Sequence, residues 1–382
     1  MPIERIIYFV ESYFNQRDFE RFGVQILIDN DFDVEVWDFT PFVAPSEYRK
    51  VTQPPSFECK NWFLFDSEKE ALASISNLDH SCFVISLFHY TPATISIYRL
   101  LSKLNIQYCV DACAIPVGPV SIGTRIKWKR PRDIVARAFY SLPYWIMGIK
   151  PADMVLARGE KYGTSGYAVD EKSEILWVHH YDYDNYLRDR NGSSTCKNTV
   201  VFLDEYLPFH PDFAYSGYAV PVTPEEYYPK LCEFFDYLES RRGLKTIIAA
   251  HPRSHYEDHP DFFHGRPVVR GKTSELVRDS SLVVLHMSFS MNYAVLYRKP
   301  MTFITTDKYN QGWTELTTSD WLSRFFGKKS HNLDYPLELD MQQEMSVDEQ
   351  AYEKYQNAYI KKKGTPDFLS FQILANRLRE IL

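Results

Sequence analysis

Short apolar runs, separated by helical or loop segments, dominate residues 199–305. The runs TVVFL, TIIAA and SLVVL are each about five residues long and stop at Asp204, His251 and His286. Continuous runs of this kind, rich in β-branched and aromatic side chains, predict strands buried on both faces, as in a parallel sheet flanked by helices. Residues 301–305 predict one more strand of the same sheet.

The segment between the first two of these strands carries helix signals at both ends. Thr223, Pro224 and Glu226 predict a capping box with proline in the first turn. Apolar side chains then recur at helical spacing until Gly243, which can end the helix in the left-handed conformation. The pattern therefore predicts the strand, helix and strand order of a Rossmann-like domain.

The N-terminal half of the chain shows the same alternation. Residues 5–11 and 33–39 predict strands on either side of a helix over 19–30, which is a βαβ opening. Further strands are predicted over residues 81–88, 106–112, 153–157 and 174–178, and a further helix over 91–104. The first turn lacks the Gly-x-Gly-x-x-Gly pattern, so a bound dinucleotide is not indicated.

Composition shifts divide the chain into segments. Residues 189–198 (DRNGSSTCKN) are polar and rich in Gly and Ser, which predicts a linker. We therefore expect an α/β fold with two Rossmann-like domains, over residues 1–190 and 199–345, facing a central cleft. Residues 346–382 predict C-terminal helices that pack on either domain, and the last of them can cross back onto the first.

The overall composition limits the class of protein. The chain has 382 residues, 45% of them hydrophobic and 24% charged, which is enough for two ordinary cores. A net charge of −7 argues against a nucleic-acid partner. The scattered cysteines predict free thiols and no zinc site. Without a signal peptide pattern or an apolar run of about 18 residues, a cytoplasmic protein is expected.

Two segments leave alternatives open. Residues 125–150 are basic at their start and rich in aromatic side chains, which fits either a helix pair packed on the N-terminal sheet or peripheral contact with an anionic inner membrane. Residues 179–184 (HHYDYD) contain side chains that can bind metals. They equally fit polar structural contacts or contacts with an acceptor at a strand end, and no metal is predicted there.

Polar side chains at the ends of the predicted strands supply the candidate chemistry. Ligands of open α/β sheets bind beyond the carboxyl ends of the strands, so these side chains are expected to face one crevice. Asp204 can accept a proton from a sugar hydroxyl, or it can cap the following loop. His251 can donate to a leaving phosphate, or it can be structural. Ser288 and Ser290 precede a predicted helix, where they can hold a phosphate or act as an N-cap.

Further candidates lie beside these positions. Arg253, Arg270 and Lys272 can pair with anionic groups of a donor, although single basic residues are usually only solvated. Glu205 and His286 directly adjoin the strand ends and are additional candidates for substrate binding.

Three motifs in this order resemble those of the bacterial sialyltransferases of GT-B architecture and related CMP-nonulosonate or CMP-Kdo transferases. That group carries an Asp-Asp/Glu-Gly motif, a His-Pro motif and a serine motif. The matches here are Asp204-Glu205, His251-Pro252 and the pair Ser288 and Ser290.

The resemblance has two departures and a limited extent. The third position of the acidic motif is Tyr206 instead of glycine, and Phe289 separates the two serines. The motifs cover residues 199–305, and the N-terminal half is similar in architecture only.

The resemblance implies a glycosyltransferase of bacterial polysaccharide, lipopolysaccharide or capsule biosynthesis. A CMP donor would supply a sialic acid-like sugar or Kdo to a hydroxyl of a glycan or lipid-linked glycan. Asp204 would be the base, His251 would stabilise the leaving phosphate together with Ser288 and Ser290, and neither metal nor cofactor would take part. In a retaining variant an acidic residue would attack the anomeric carbon.

Two other classes of function remain open from the sequence. The architecture also serves UDP-sugar transferases, epimerases and pyruvyl transferases. A glycan-binding protein with a degenerate transferase fold is the non-catalytic alternative.

Overall fold

The computed structural model describes residues 2–12, 14–49, 61–114, 116, 142–192, 198–210, 213, 219–312 and 319–381. The chain divides into two compact units. Unit 1 holds the described parts of Met1–Ile115, Trp128–Tyr181 and Lys361–Leu382, and unit 2 holds those of Pro116–Lys127 and Asp182–Ile360. The boundaries predicted at residues 190 and 199 stay predictions.

Unit 1 is built on a seven-stranded parallel sheet with the order β3-β2-β1-β4-β5-β6-β7. Its strands are Arg5–Val10 (β1), Asp33–Asp38 (β2), Trp62–Leu64 (β3), Cys82–Ser86 (β4), Gln107–Cys113 (β5), Met154–Arg158 (β6) and Glu174–Val178 (β7). The order reverses between β1 and β4, as it does in doubly wound folds.

Both faces of this sheet are covered by side chains. Ile7 and Phe9 of β1 belong to the core on one face, whereas Ile6, Tyr8 and Val10 belong to the core on the other. Successive strand residues point to opposite faces, so the uninterrupted apolar run in the sequence reflects burial on both sides.

Short helices follow the strands of unit 1. They span Gln16–Arg21, Val24–Ile28, Thr40–Val43, Pro45–Tyr48, Glu68–Ile75, Ile95–Leu104 and Ser370–Arg379. The single helix expected over residues 19–30 is two helices, because Gly23 between them adopts a φ of 61°. A Cβ atom at Gly23 would lie 2.5 Å from Phe371, so the absence of a side chain at Gly23 leaves room for the helix Ser370–Arg379.

Unit 2 is built on a six-stranded parallel sheet with the order β10-β9-β8-β11-β12-β13. Its strands are Thr199–Leu203 (β8), Lys245–Ala250 (β9), Val268–Arg270 (β10), Leu282–Leu285 (β11), Met301–Thr305 (β12) and Ser330–Asn332 (β13). The fold class predicted from the apolar runs, with two Rossmann-like parallel sheets, is confirmed for both halves of the chain.

The helix Pro224–Arg242 follows β8 and covers its sheet with buried aromatic and aliphatic side chains. Glu226 accepts a hydrogen bond from the Thr223 backbone at its start, and Gly243 ends it with a φ of 63°. The other helices associated with this unit span Tyr181–Asp189, Thr273–Asp279, Met291–Leu296, Asp307–Gly312, Ser319–Phe325, Met341–Glu344 and Glu349–Tyr355.

Residues 179–184 are mostly helical, because β7 ends at Val178 and the helix Tyr181–Asp189 begins three residues later. Asp182 and Asp184 are buried, and the Asp182 carboxylate accepts a hydrogen bond of 2.8 Å from the Asn292 amide. Over the described ranges, no group of three His, Cys, Asp or Glu side chains is arranged to hold a metal ion.

The basic and aromatic segment over residues 125–150 lies outside the described residues up to position 141. The choice between packing and membrane contact therefore stays open for it. Among the helices of the described ranges, none is both long and apolar enough to cross a membrane.

Candidate functional site

The carboxyl ends of β9, β8 and β11 lie side by side in unit 2. Leu203 of β8 is in register with Ala249 of β9 and with Leu285 of β11. The polar residues that follow each strand therefore come together at one edge of the sheet. This arrangement unites the acidic pair, the His-Pro pair and the serine turn, which are far apart in sequence.

Asp204 connects the end of β8 to the end of β9. Its Oδ1 accepts a hydrogen bond of 2.9 Å from the Tyr206 N–H, and its Oδ2 accepts one of 3.1 Å from the His251 N–H. The residue is only 4% exposed. Burial raises the pKa of the Asp204 carboxyl to about 6, although these backbone hydrogen bonds favour the ionised form.

Glu205 makes the matching connection to β11. Its Oε1 accepts a hydrogen bond of 2.6 Å from the Met287 N–H, and the Tyr309 hydroxyl donates to Oε2 at 3.3 Å. Burial raises the pKa of the Glu205 carboxyl to about 7. The acidic pair thus holds the loops that follow both neighbouring strands.

Tyr206 follows the acidic pair and has an unusual backbone conformation. It adopts the left-handed conformation, with a φ of 54°. Glycine reaches this conformation without steric cost, whereas a tyrosine there is strained. The Tyr206 side chain is 7% exposed and packs against the rings of Phe209 and Tyr256, each with a centroid distance of 5.2 Å.

His251 begins the loop after β9 and is partly buried. Its Nδ1 accepts a hydrogen bond of 3.2 Å from the Arg253 N–H. A neutral imidazole that accepts at Nδ1 carries its proton on Nε2, so this tautomer can donate a hydrogen bond from Nε2. The Ser254 hydroxyl also donates to the His251 carbonyl at 2.8 Å, which fixes the loop.

Ser288 and Ser290 form a tight turn after β11. The Ser288 hydroxyl accepts a hydrogen bond of 3.3 Å from the Ser290 N–H. Ser290 precedes the helix Met291–Leu296, but its side chain makes no capping hydrogen bond. Both serines are partly exposed, and Phe289 between them is 47% exposed.

His286 supports this edge from inside the protein. It is 0% exposed, and its ring lies 2.8 Å from the Tyr227 hydroxyl through Nε2 and 2.8 Å from the Ile304 carbonyl through Nδ1. Burial lowers the pKa of the imidazole to about 4, so the ring is neutral at pH 7. Both ring nitrogens of His286 thus have partners within the protein, and its part in substrate binding stays a prediction.

The three basic candidates lie at or after the ends of β9 and β10. Arg253 and Lys272 are exposed. Arg270 donates to the Ser254 carbonyl and, at 2.9 Å, to the Glu257 carboxylate. A cavity of about 540 Å³ lies beside this group, lined by residues that include Ala250, Tyr256, Glu257, His259, Arg266 and Arg270.

Sequence reasoning missed the two tyrosines that support the site. Tyr227 and Tyr309 hold His286 and Glu205, and both are completely or almost completely buried. Nothing in the sequence distinguishes them from the other aromatic residues of helices, because their role depends on which strand end each helix covers.

No family model matches this chain, and no curated protein matches it in sequence. Solved structures with similar folds exist. A variant of the wall teichoic acid polymerase TagF matches with a TM-score of 0.50 at 12% identity, covering 100% of this chain and 89% of that chain.

Two further solved structures match with lower TM-scores. MurG of Acinetobacter baumannii has a TM-score of 0.45 at 9% identity and covers 99% of both chains. The UDP-GlcNAc 2-epimerase of Methanocaldococcus jannaschii has a TM-score of 0.39 at 12% identity, covering 99% of this chain and 98% of that chain. At these identities the similarity concerns the fold alone, and the fold is of the GT-B type that the sequence predicted.

Proposed function

We propose that this protein is a glycosyltransferase that uses a CMP-activated acidic sugar, of the sialic acid or Kdo type. The acceptor is a hydroxyl of a bacterial surface glycan or of its lipid-linked precursor. The observation that carries the proposal is the group of His251, Ser288 and Ser290 after β9 and β11, the two strands that flank β8, with their loops held by Asp204 and Glu205.

His251 and the two serines receive the leaving phosphate in this proposal. Breakage of the bond between sugar and phosphate leaves negative charge on CMP. The Nε2–H of His251 and the hydroxyls of Ser288 and Ser290 are suited to stabilise that charge as hydrogen-bond donors. Since CMP presents a single phosphate, these protein groups can stabilise it without a metal ion.

Asp204 can act in this reaction as a base or as a positioning residue. A pKa near 6 suits a base that works around neutral pH, which is the role predicted from the sequence. However, the side chain is buried, and both of its oxygens already accept backbone hydrogen bonds. These contacts favour a positioning role, in which Asp204 holds the His251 loop.

A thermal-shift comparison of CMP, UDP, GDP and phosphoenolpyruvate tests the donor. A ligand at about 100 times its Kd stabilises the folded protein by roughly 2.7 kcal/mol, so a preferred nucleotide will be evident. We expect CMP to give the largest shift. His251→Asn should remove most of it, whereas the control His80→Asn, at an exposed histidine in a turn of unit 1, should not.

The other outcomes distinguish the alternatives. A larger shift with UDP would replace the CMP donor by a UDP-sugar, and phosphoenolpyruvate alone would indicate pyruvyl transfer. Stabilisation by glycans without any nucleotide would favour a non-catalytic binding protein.

A further inference from the structure

A turn on the surface of unit 1 carries three exposed apolar side chains. Leu142 is 42% exposed, Trp145 78% and Ile146 52%. Single large apolar side chains are common on protein surfaces, whereas three within five consecutive positions form a continuous patch that calls for a partner. Residues 142–149 are called the apolar turn below.

The other side of the apolar turn is anchored in the core of unit 1. Tyr144 and Met147 pack against that core, and the Tyr144 hydroxyl donates to the Tyr167 carbonyl at 3.0 Å. The backbone N–H groups of residues 146–149 donate to carbonyls of residues 143–145 at 3.0–3.2 Å. The exposed side chains therefore project from a fixed backbone, so a partner that contacts them has little conformational entropy to remove.

Positive charge lies beside the apolar turn. The guanidinium of Arg99 donates to the Met147 carbonyl at 2.6 Å, and Lys103 lies one helical turn further on the same face of its helix. Both side chains are exposed, and neither forms an ion pair with another described residue. Lys150 follows the turn but is paired with Asp153, so the excess charge comes from the helix.

The sequence that leads into the apolar turn is also basic. Residues 125–132 (RIKWKRPR) contain five basic residues and no acidic one, in a chain whose net charge is −7. Tryptophan and aliphatic side chains flanked by Lys and Arg are typical of segments that bind the interface of an anionic bilayer. A stable interface with another protein buries about 1,200–2,000 Å², which is much more than three side chains supply.

We propose that the apolar turn is a docking surface for an anionic lipid bilayer. Leu142, Trp145 and Ile146 insert at the level of the headgroups, and Arg99 and Lys103 contact lipid phosphates. The attachment is peripheral and reversible, because it combines a small apolar area with electrostatic attraction. The proposal goes beyond the proposed function, since it does not depend on the nucleotide that unit 2 binds.

Co-sedimentation of the full chain with lipid vesicles tests the contact. One set of vesicles contains phosphatidylcholine alone, and the other contains about one third phosphatidylglycerol. We expect binding to the second set only. Binding should weaken as the salt concentration rises from about 0.1 M to about 1 M, because the Debye length falls from roughly 10 Å to 3 Å.

Substitutions separate the apolar from the electrostatic contribution. Trp145→Ser should weaken vesicle binding by a factor on the order of ten, and Trp145→Phe should restore most of it. Lys103→Gln should weaken binding roughly fivefold. Two controls in the same unit should bind like the wild type, namely Phe368→Ser at an exposed aromatic residue and Lys172→Gln at an exposed lysine. Thermal unfolding of each variant, with and without CMP, verifies that the fold and the nucleotide site are unchanged.

The remaining outcomes overturn the proposal. A wild-type protein that does not bind the anionic vesicles, or that binds both sets equally, contradicts a charged lipid surface as the partner. Normal binding by Trp145→Ser would place the lipid contact elsewhere in the chain. A dimer in solution that Trp145→Ser dissociates, measured by light scattering, would assign the turn to a second copy of the protein. None of these results affects the CMP comparison, which tests the proposed function separately.

Discussion

Two buried carboxyl groups organise the candidate site at the scale of single residues. Asp204 reaches towards β9 and Glu205 towards β11, and each accepts a backbone N–H from the loop that follows that strand. Their pKa values are raised to about 6 and about 7 because burial disfavours the charged form. Both residues therefore help to position the loops after the neighbouring strands, and we expect the stability of the protein to depend on pH.

Asp204→Asn distinguishes positioning from base catalysis. The amide retains one oxygen but presents an NH₂ group to either the Tyr206 or the His251 N–H, so one of these hydrogen bonds is lost. For a positioning residue we expect turnover and CMP affinity to fall together, with a loss of about 1–3 kcal/mol in the free energy of unfolding. If turnover falls while CMP affinity stays normal, Asp204 is the base, as the sequence predicted.

Glu205 should make the folded protein less stable as the pH rises. A carboxyl with a raised pKa binds more protons in the folded than in the unfolded state, so the free energy of unfolding decreases between about pH 4.5 and 7. Glu205→Gln keeps contacts to Met287 and Tyr309 without ionising. We expect it to be more stable than the wild type at pH 8, by roughly 1–3 kcal/mol, and nearly equal to it at pH 4.5.

Urea unfolding at both pH values measures this effect. The exposed Glu233, on the helix Pro224–Arg242 that covers the sheet, provides the control, and Glu233→Gln should follow the wild type at both pH values. Equal stability of Glu205→Gln and the wild type at pH 8 would contradict the prediction.

At the scale of elements, the turn after β8 combines a costly backbone conformation with a buried aromatic ring. Tyr206 adopts the left-handed backbone conformation, and the 3₁₀ turn Leu207–Phe209 follows it directly. This conformation is costly for a residue with a Cβ atom, and the buried ring of Tyr206 offsets the cost by packing on Phe209 and Tyr256. The turn is therefore stabilised by a side chain where the resembled family uses a glycine.

Two substitutions at position 206 separate the free-energy cost of the left-handed backbone from the stabilisation that the packed ring provides. Tyr206→Gly loses the ring but relieves the strain, and Tyr206→Ala loses the ring and keeps the strain. Both should be less stable than the wild type, and the alanine variant should be about 1 kcal/mol less stable than the glycine variant. Chemical denaturation measures the order, and an alanine variant as stable as the glycine variant would exclude backbone strain at this turn.

At the scale of the whole molecule, the chain returns to its first unit after it completes the second. Lys361–Leu382 belongs to unit 1, where the helix Ser370–Arg379 adds Phe371, Leu374 and Leu378 to one core face of the sheet. The end of the sequence is thus part of the packing of the N-terminal sheet.

Phe371 tests this contribution to stability. It is 1% exposed and lies against Gly23, whereas Phe368 in the same segment is 54% exposed. Phe371→Ala should lower the free energy of unfolding by roughly 3–5 kcal/mol, because it leaves a cavity in the core. Phe368→Ala, the matched control, should change it by less than about 0.5 kcal/mol. Equal effects of the two substitutions would contradict the packing described here.

Much of the sheet architecture could be predicted from the sequence, because its central strands are buried on both faces. Runs such as those of β8 and β9 are recognisable without any tertiary contact. The strands Trp62–Leu64, Val268–Arg270 and Ser330–Asn332 were missed. Each is three residues long, lies at or near the edge of its sheet and is only partly buried, so none produces a continuous apolar run.

The sequence by itself determined the α/β class, the positions of the central strands and the polar residues that follow them. Tertiary structure alone decided what those residues contact. Asp204 meets the backbone of a loop 47 positions away, and Glu11 meets His89 across 78 positions. The ability of a carboxylate to accept a proton depends on its burial and on the donors around it. Long-range packing supplies both, so local sequence patterns do not encode them.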